Sequence, residues 1–158
     1  MTPAQQARAR AIMSETVCHP GLPEIADSTI MLEVWSYPPE GLWVRWLLYD
    51  VDARYWVRRT ICQPAGSDDT VYTSVAEVHI PTPTISPLLA GGSGMTLPFI
   101  PLEDDQLPQP TLVEEGLICS GLELRWAAGR LEGPWGHMAT LHARFVACFE
   151  TALPPAAR

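Results

Sequence analysis

The chain has 158 residues, 47% of them apolar, with 18 acidic side chains against 10 basic ones and a formal net charge of −8. That length supports one domain that folds without disulfide or metal staples, and the apolar share argues against disorder. The acidic balance repels phosphate backbones and anionic membrane surfaces, so a basic protein is the partner the charge favours.

All ten basic residues are arginine, and neither lysine nor asparagine occurs. Schiff-base lysine chemistry and a phosphate-binding P-loop lysine are therefore excluded. The Ala-, Arg-, Pro- and Gly-rich composition suggests a bacterial source. The start, Thr2-Pro3-Ala4-Gln5-Gln6, has no apolar signal-peptide core. A cytoplasmic setting with reduced Cys18, Cys62, Cys119 and Cys148 is the expectation. No apolar run reaches the ~18 residues a membrane helix needs.

In chain order, residues 2–16 read as a helix. Thr2 and Gln5 have capping-box spacing, and Pro3 suits the first helical position. His19-Pro20-Gly21 stops it. The hydrophobic period then changes to two. Strands are predicted over 28–37, 42–49, 54–62 and 71–80, with turns at Pro38-Pro39-Glu40-Gly41 and Asp50-Val51-Asp52-Ala53. Residues 81–110 hold seven prolines and the run Gly91-Gly92-Ser93-Gly94, a composition that predicts irregular but packed chain. Strand pattern resumes over 111–127, where Leu122, Leu124 and Trp126 alternate with polar residues. Residues 135–153 close as an amphipathic helix through Met138, Leu141, Phe145 and Phe149. The whole predicts a single α+β domain: an antiparallel meander of about six strands flanked by an N-terminal and a C-terminal helix.

The second and third strands form a predicted hairpin in which Tyr49 faces Arg54. One face is a core face: Leu42, Val44, Trp46 and Leu48 with Tyr55, Val57, Arg59 and Ile61. The other carries Trp43, Arg45, Leu47 and Tyr49 with Arg54, Trp56, Arg58 and Thr60. Trp, Tyr and Arg dominate interface hot spots, so Trp43, Arg45, Tyr49, Arg54, Trp56 and Arg58 are the candidate binding residues. In this register Arg45 and Arg58 are directly opposed, which requires acidic compensation from the chain itself or a partner. The segment 81–110, with Glu103, Asp104 and Asp105, could supply it by covering the face.

Catalytic and metal patterns fail on spacing. Asp50-Val51-Asp52 suits a tight turn better than a metal. His137 and His142 lie five apart, about 140° around a helix, and cannot share a ligand face. Gly91-Gly92-Ser93-Gly94-Met95 lacks the last glycine of a nucleophile elbow. No catalytic residue, metal or cofactor is expected.

The order of helix, strands, irregular segment, strands and helix is similar to that of small acidic secretion chaperones, and equally to many toxin-immunity proteins. The leading expectation is an acidic protein-binding module of immunity, inhibitor or chaperone type. A second is a small-molecule binder or enzyme with a pocket between the sheet and 81–110. There Arg45, Arg58 or Arg59 would grip an anion and His79 or His142 would move a proton. A third is a subunit of a homo-oligomer, joined through the same face or an edge strand.

Overall fold

In a computed structural model, residues 1–14, 29–66, 69–93, 101–119 and 122–156 are described. Cys18, the stop at His19-Pro20-Gly21 and the Gly94-Met95 end of the glycine run lie outside them. The elements are α1 (Pro3–Ser14), β1 (Thr29–Tyr37), β2 (Trp43–Val51), β3 (Arg54–Pro64), β4 (Val71–Ile80), α2 (Thr82–Ser93), β5 (Glu114–Cys119) and β6 (Leu122–Ala127), then a 3₁₀ turn at Gly133–Trp135 and α3 (Gly136–Ala152).

The six strands form one antiparallel sheet in the order β4-β3-β2-β1-β5-β6. The α+β architecture with terminal helices agrees with the period-two and helical patterns. The meander itself runs from β1 to β4. The chain then crosses over through α2 and places β5 against the free side of β1. That pairing joins residues about 80 positions apart, such as Trp35 and Gly116.

Short-range chemistry fixes the local features. Thr2 and Gln5 cap α1 reciprocally: Thr2 N donates to Gln5 Oε1 at 2.8 Å, and Gln5 N donates to Thr2 Oγ1 at 3.1 Å. The β2–β3 connection is a two-residue turn, Asp52-Ala53, with φ of 52° and 60°. Both left-handed positions match the twist of a hairpin, and Asp50 Oδ1 accepts from Ala53 N at 3.1 Å. The tighter turn pairs Val51 with Arg54 and Tyr49 with Trp56, two positions from the predicted register. Because side chains alternate, a shift of two leaves every residue on its predicted face. It does separate the arginines. Arg45 faces Thr60 and Leu47 faces Arg58, so the expected like-charge opposition does not arise.

The irregular reading of 81–110 is corrected over its first part, which is the helix α2. Pro83 stands in the first turn, where a missing N–H costs nothing. Pro87 is interior and loses the bond to the residue 83 carbonyl. Packing of Ile85, Leu88 and Leu89 into the core offsets that loss.

The main core lies on one face of the sheet. Leu32, Val34, Trp46, Leu48, Val57, Ile80, Leu117 and Trp126 meet Ile85 of α2 and Met138, Phe145 and Phe149 of α3. Arg59 is the one arginine on this face, as its parity predicts, and it is buried. It pairs with Glu150 of α3, and its Nη2 donates to the Pro154 carbonyl at 2.7 Å. Trp46 Nε1 donates to the same carboxylate at 2.6 Å. The opposite face carries α1 alone among the described helices, and it is this face that positions the candidate site.

Candidate binding face of the sheet

Side-chain parity puts Glu33, Trp35 and Tyr37 of β1 on the same face as Trp43, Arg45 and Tyr49 of β2 and Trp56 and Arg58 of β3. Glu114, Gly116 and Ile118 of β5 and Glu123 and Arg125 of β6 extend it. The face divides into three zones.

The first lies under α1. Ala9 and Met13 pack on Trp43, Cys62 and Val71, all buried. Arg45 fastens the helix. Its Nη1 donates to the Met13 carbonyl, and its Nη2 donates to Glu33 Oε2 at 2.7 Å. A guanidinium at a helix C-terminus meets the negative end of the dipole. Gln5 Nε2 holds the other end through the Thr70 carbonyl at 3.2 Å. The cover that sequence assigned to 81–110 thus comes in part from the N-terminal helix. Burial pushes the Cys62 thiol up, and its Sγ sits 3.7 Å from Thr73 Oγ1.

The second zone surrounds Tyr49. Leu47 and Tyr49 are buried beside Val51 and Trp56. Arg58 Nε donates to Glu77 Oε2 at 2.7 Å, and its guanidinium lies 5.9 Å over the Tyr49 ring. The acidic compensation demanded for this arginine is internal, on β4. Trp56 is half-buried and meets His79 edge-on at 5.7 Å. Arg54 is exposed at the hairpin end.

The third zone is open. Beside α1, a groove of about 250 Å³ is lined by Arg10 and Met13 of α1, Trp35 and Tyr37 of β1, Glu114 of β5 and Glu123 and Arg125 of β6. Its floor is the stacked pair Trp35 and Tyr37, with ring centroids 6.2 Å apart, and Tyr37 stacks in turn at 4.6 Å on Trp43, which α1 buries. Arg125 lies 5.7 Å over Trp35, and Arg10 lies 5.0 Å over Trp43. Glu114 accepts from Trp35 Nε1 at 3.2 Å and stands 3.9 Å from Arg10 and 3.8 Å from Arg125. The pair lies flat because Gly116 has no side chain: a Cβ there would enter the Trp35 indole. Desolvation pushes the Tyr37 hydroxyl well above the usual tyrosine range, with Arg45 opposing. A tyrosine raised in the folded state stabilises it below the unfolded value near 10 and loses that contribution as pH climbs beyond it. Thermal melts should therefore fall from about pH 10 upward, and Tyr37→Phe should make that fall shallower.

Sequence reasoning assigned six residues to this face. Trp43, Arg45, Tyr49 and Arg58 are buried in the first two zones, and Trp56 and Arg54 stand at their margin. The open groove was missed, because its walls come from β5 and β6, which reach β1 only through the crossover. The alternation of Trp35 with Tyr37, and a glycine inside a strand pattern, were the legible signals.

The groups proposed for a small-molecule pocket are not brought together. Arg59 and His142 lie on the core face, whereas Arg45, Arg58 and His79 lie on the other. His142 is buried, with Nε2 3.0 Å from the Trp35 carbonyl oxygen. A second pocket of about 420 Å³ lies between Pro101–Gln106 and Gly129–Trp135, with Glu103, Asp105, Glu132 and Arg130 on its rim. Among the described residues no group of three or more His, Cys, Asp and Glu side chains could hold a metal ion, and no helix is long and apolar enough to cross a membrane. Comparison of the chain with protein-family models, with curated proteins and with solved structures finds no match.

Proposed function

We propose that this chain is a small acidic protein-binding module, of immunity, inhibitor or chaperone type, that engages a basic partner at the open groove. The observation that carries this reading is the stacked pair Trp35–Tyr37 on the groove floor, walled by Glu33, Glu114 and Glu123. Stacked rings give a rigid contact area whose ordering costs little entropy. Carboxylates around them prefer a partner's arginine or lysine, which can also stack on the rings. Arg10 and Arg125 now hold those places, but their side chains are 53% and 51% exposed. Exposed ion pairs of this kind are worth about 0–1 kcal/mol, so an incoming cation displaces them at little cost. The net charge of −8 would supply long-range steering of a basic protein.

Affinity capture from the native host, followed by mass spectrometry, tests the reading. Wild-type chain should retain a basic protein at low salt and release it as salt rises. Glu123→Arg reverses one exposed wall charge without touching the core, and should weaken retention at least tenfold. Equal retention by wild type and Glu123→Arg would remove the groove from the account.

A further inference from the structure

The two edges of the sheet are built differently. β6 is six residues long, carries Glu123 and Arg125, and has its end held by Ala127 N donating to the Gln106 carbonyl at 2.8 Å. β4 is ten residues long, Val-Tyr-Thr-Ser-Val-Ala-Glu-Val-His-Ile, and pairs with β3 at every position without a register shift. Natural edge strands are blunted by proline, lysine, bulges or short length. β4 has none of these. Its one carboxylate, Glu77, is turned onto Arg58 at 2.7 Å. Its outer side pairs with none of the described residues, and Tyr72 stands 62% exposed on it.

We infer that the β4 edge is the pairing surface for a second copy of this chain, joined antiparallel about a two-fold axis at Val75. The occupant follows from self-complementarity. Strands that meet antiparallel about such an axis set residues of equal parity opposite each other. Centred on Val75, Tyr72 meets Val78 of the second copy, Ser74 meets Ala76, and Thr73 meets Glu77. No like charges are opposed, and an aromatic is set against a β-branched side chain twice. Charge is complementary at both ends. Tyr55 pairs with Ile80, so Arg54 stands in the row just beyond β4. In this register Asp69 of the second copy arrives at that same row. Arg54 and Asp69 are both exposed, and neither has an ion pair among the described residues. The two-fold axis makes that pairing twice. The result is a continuous twelve-stranded sheet that keeps α2 and α3 on one face and the binding groove on the other.

Sedimentation analysis over a concentration series tests this. Wild type should approach twice the 17.4 kDa chain mass as concentration rises. Val75→Lys and Val75→Glu should each stay monomeric, because the axis sets the new charge against its own copy, and an equimolar mixture of the two should form the dimer. Asp69→Arg tests the ends from an exposed position outside the strands. It should weaken association about tenfold, and the double variant Asp69→Arg with Arg54→Asp should restore it. A wild type that is monomeric at every concentration would overturn the inference. So would a Val75→Lys chain that dimerises like wild type, or an Asp69→Arg chain with unchanged association.

Discussion

Replacing Glu150 with alanine is expected to destabilise the chain by about 3 kcal/mol. Arg59 is buried on the core face of β3, and Glu150 is its carboxylate partner. The same carboxylate accepts the Trp46 indole N–H. Removing it strands a buried cation and a buried donor together. Breaking a fully buried pair costs ~3–5 kcal/mol, and an orphaned donor ~1–3 kcal/mol. The sum is not reached here, because Glu150 is 38% exposed and the Pro154 carbonyl still accepts from Arg59. The measurement is guanidinium unfolding, with a lower midpoint at unchanged slope. Glu150→Gln keeps an acceptor for Trp46 and should lose clearly less. The Arg59 Nε has no hydrogen-bond partner among the described residues. Replacing the pair together by apolar residues of similar volume should therefore recover most of the loss, as buried pairs generally allow. A Glu150→Ala loss below about 0.5 kcal/mol would show that Arg59 reaches water in solution.

Gly116→Ala is expected to be the most damaging single-methyl change on the other face. The added Cβ would overlap Cζ2 and Cε2 of Trp35 and come within 2.7 Å of the Leu124 carbonyl oxygen. Neither obstacle is the free end of a flexible side chain. Trp35 is buried, and its indole is tethered to Glu114. The Leu124 carbonyl belongs to the β5–β6 ladder. Overpacking of this kind costs ~1–3 kcal/mol, and the rigidity of both neighbours places this case at about 3 kcal/mol. Trp35 must tilt off the strand, which breaks its stacking on Tyr37. Near-ultraviolet circular dichroism should therefore change along with the melting temperature. A variant that melts like wild type with an unaltered aromatic spectrum would show that Trp35 does not lie over Gly116.

These two residues mark how far the sequence could be read. Element type was legible wherever a period ran uninterrupted. β2 and β3 showed alternation, α3 showed Met138, Phe145 and Phe149 on one stripe, and Thr2 with Gln5 announced α1. Face assignment in the β2–β3 hairpin was also legible, because it depends only on parity. It held even though the Asp52-Ala53 turn moved the register by two. Pairings across the crossover were not legible. Nothing local to Gly116 says that Trp35 lies over it, and nothing local to Glu150 says that Arg59 needs it. The irregular reading of 81–110 counted prolines without regard to their position in a helical turn, and so missed α2. The site suffered most from this locality. The hairpin drew attention to Trp43 and Arg45, which α1 seals, whereas the groove beside them is assembled by β1, β5 and β6.

The central proposal is that recognition takes place at that groove. Hydrogen exchange of the chain alone and in complex with its captured partner tests it most directly. Protection should appear in α1, in the Trp35–Tyr37 end of β1 and along β5 and β6. It should be absent from α2, α3 and the Pro101–Gln106 segment. Protection confined to the α2 and α3 side of the sheet, with the β5–β6 hairpin exchanging as in the free chain, would contradict the account.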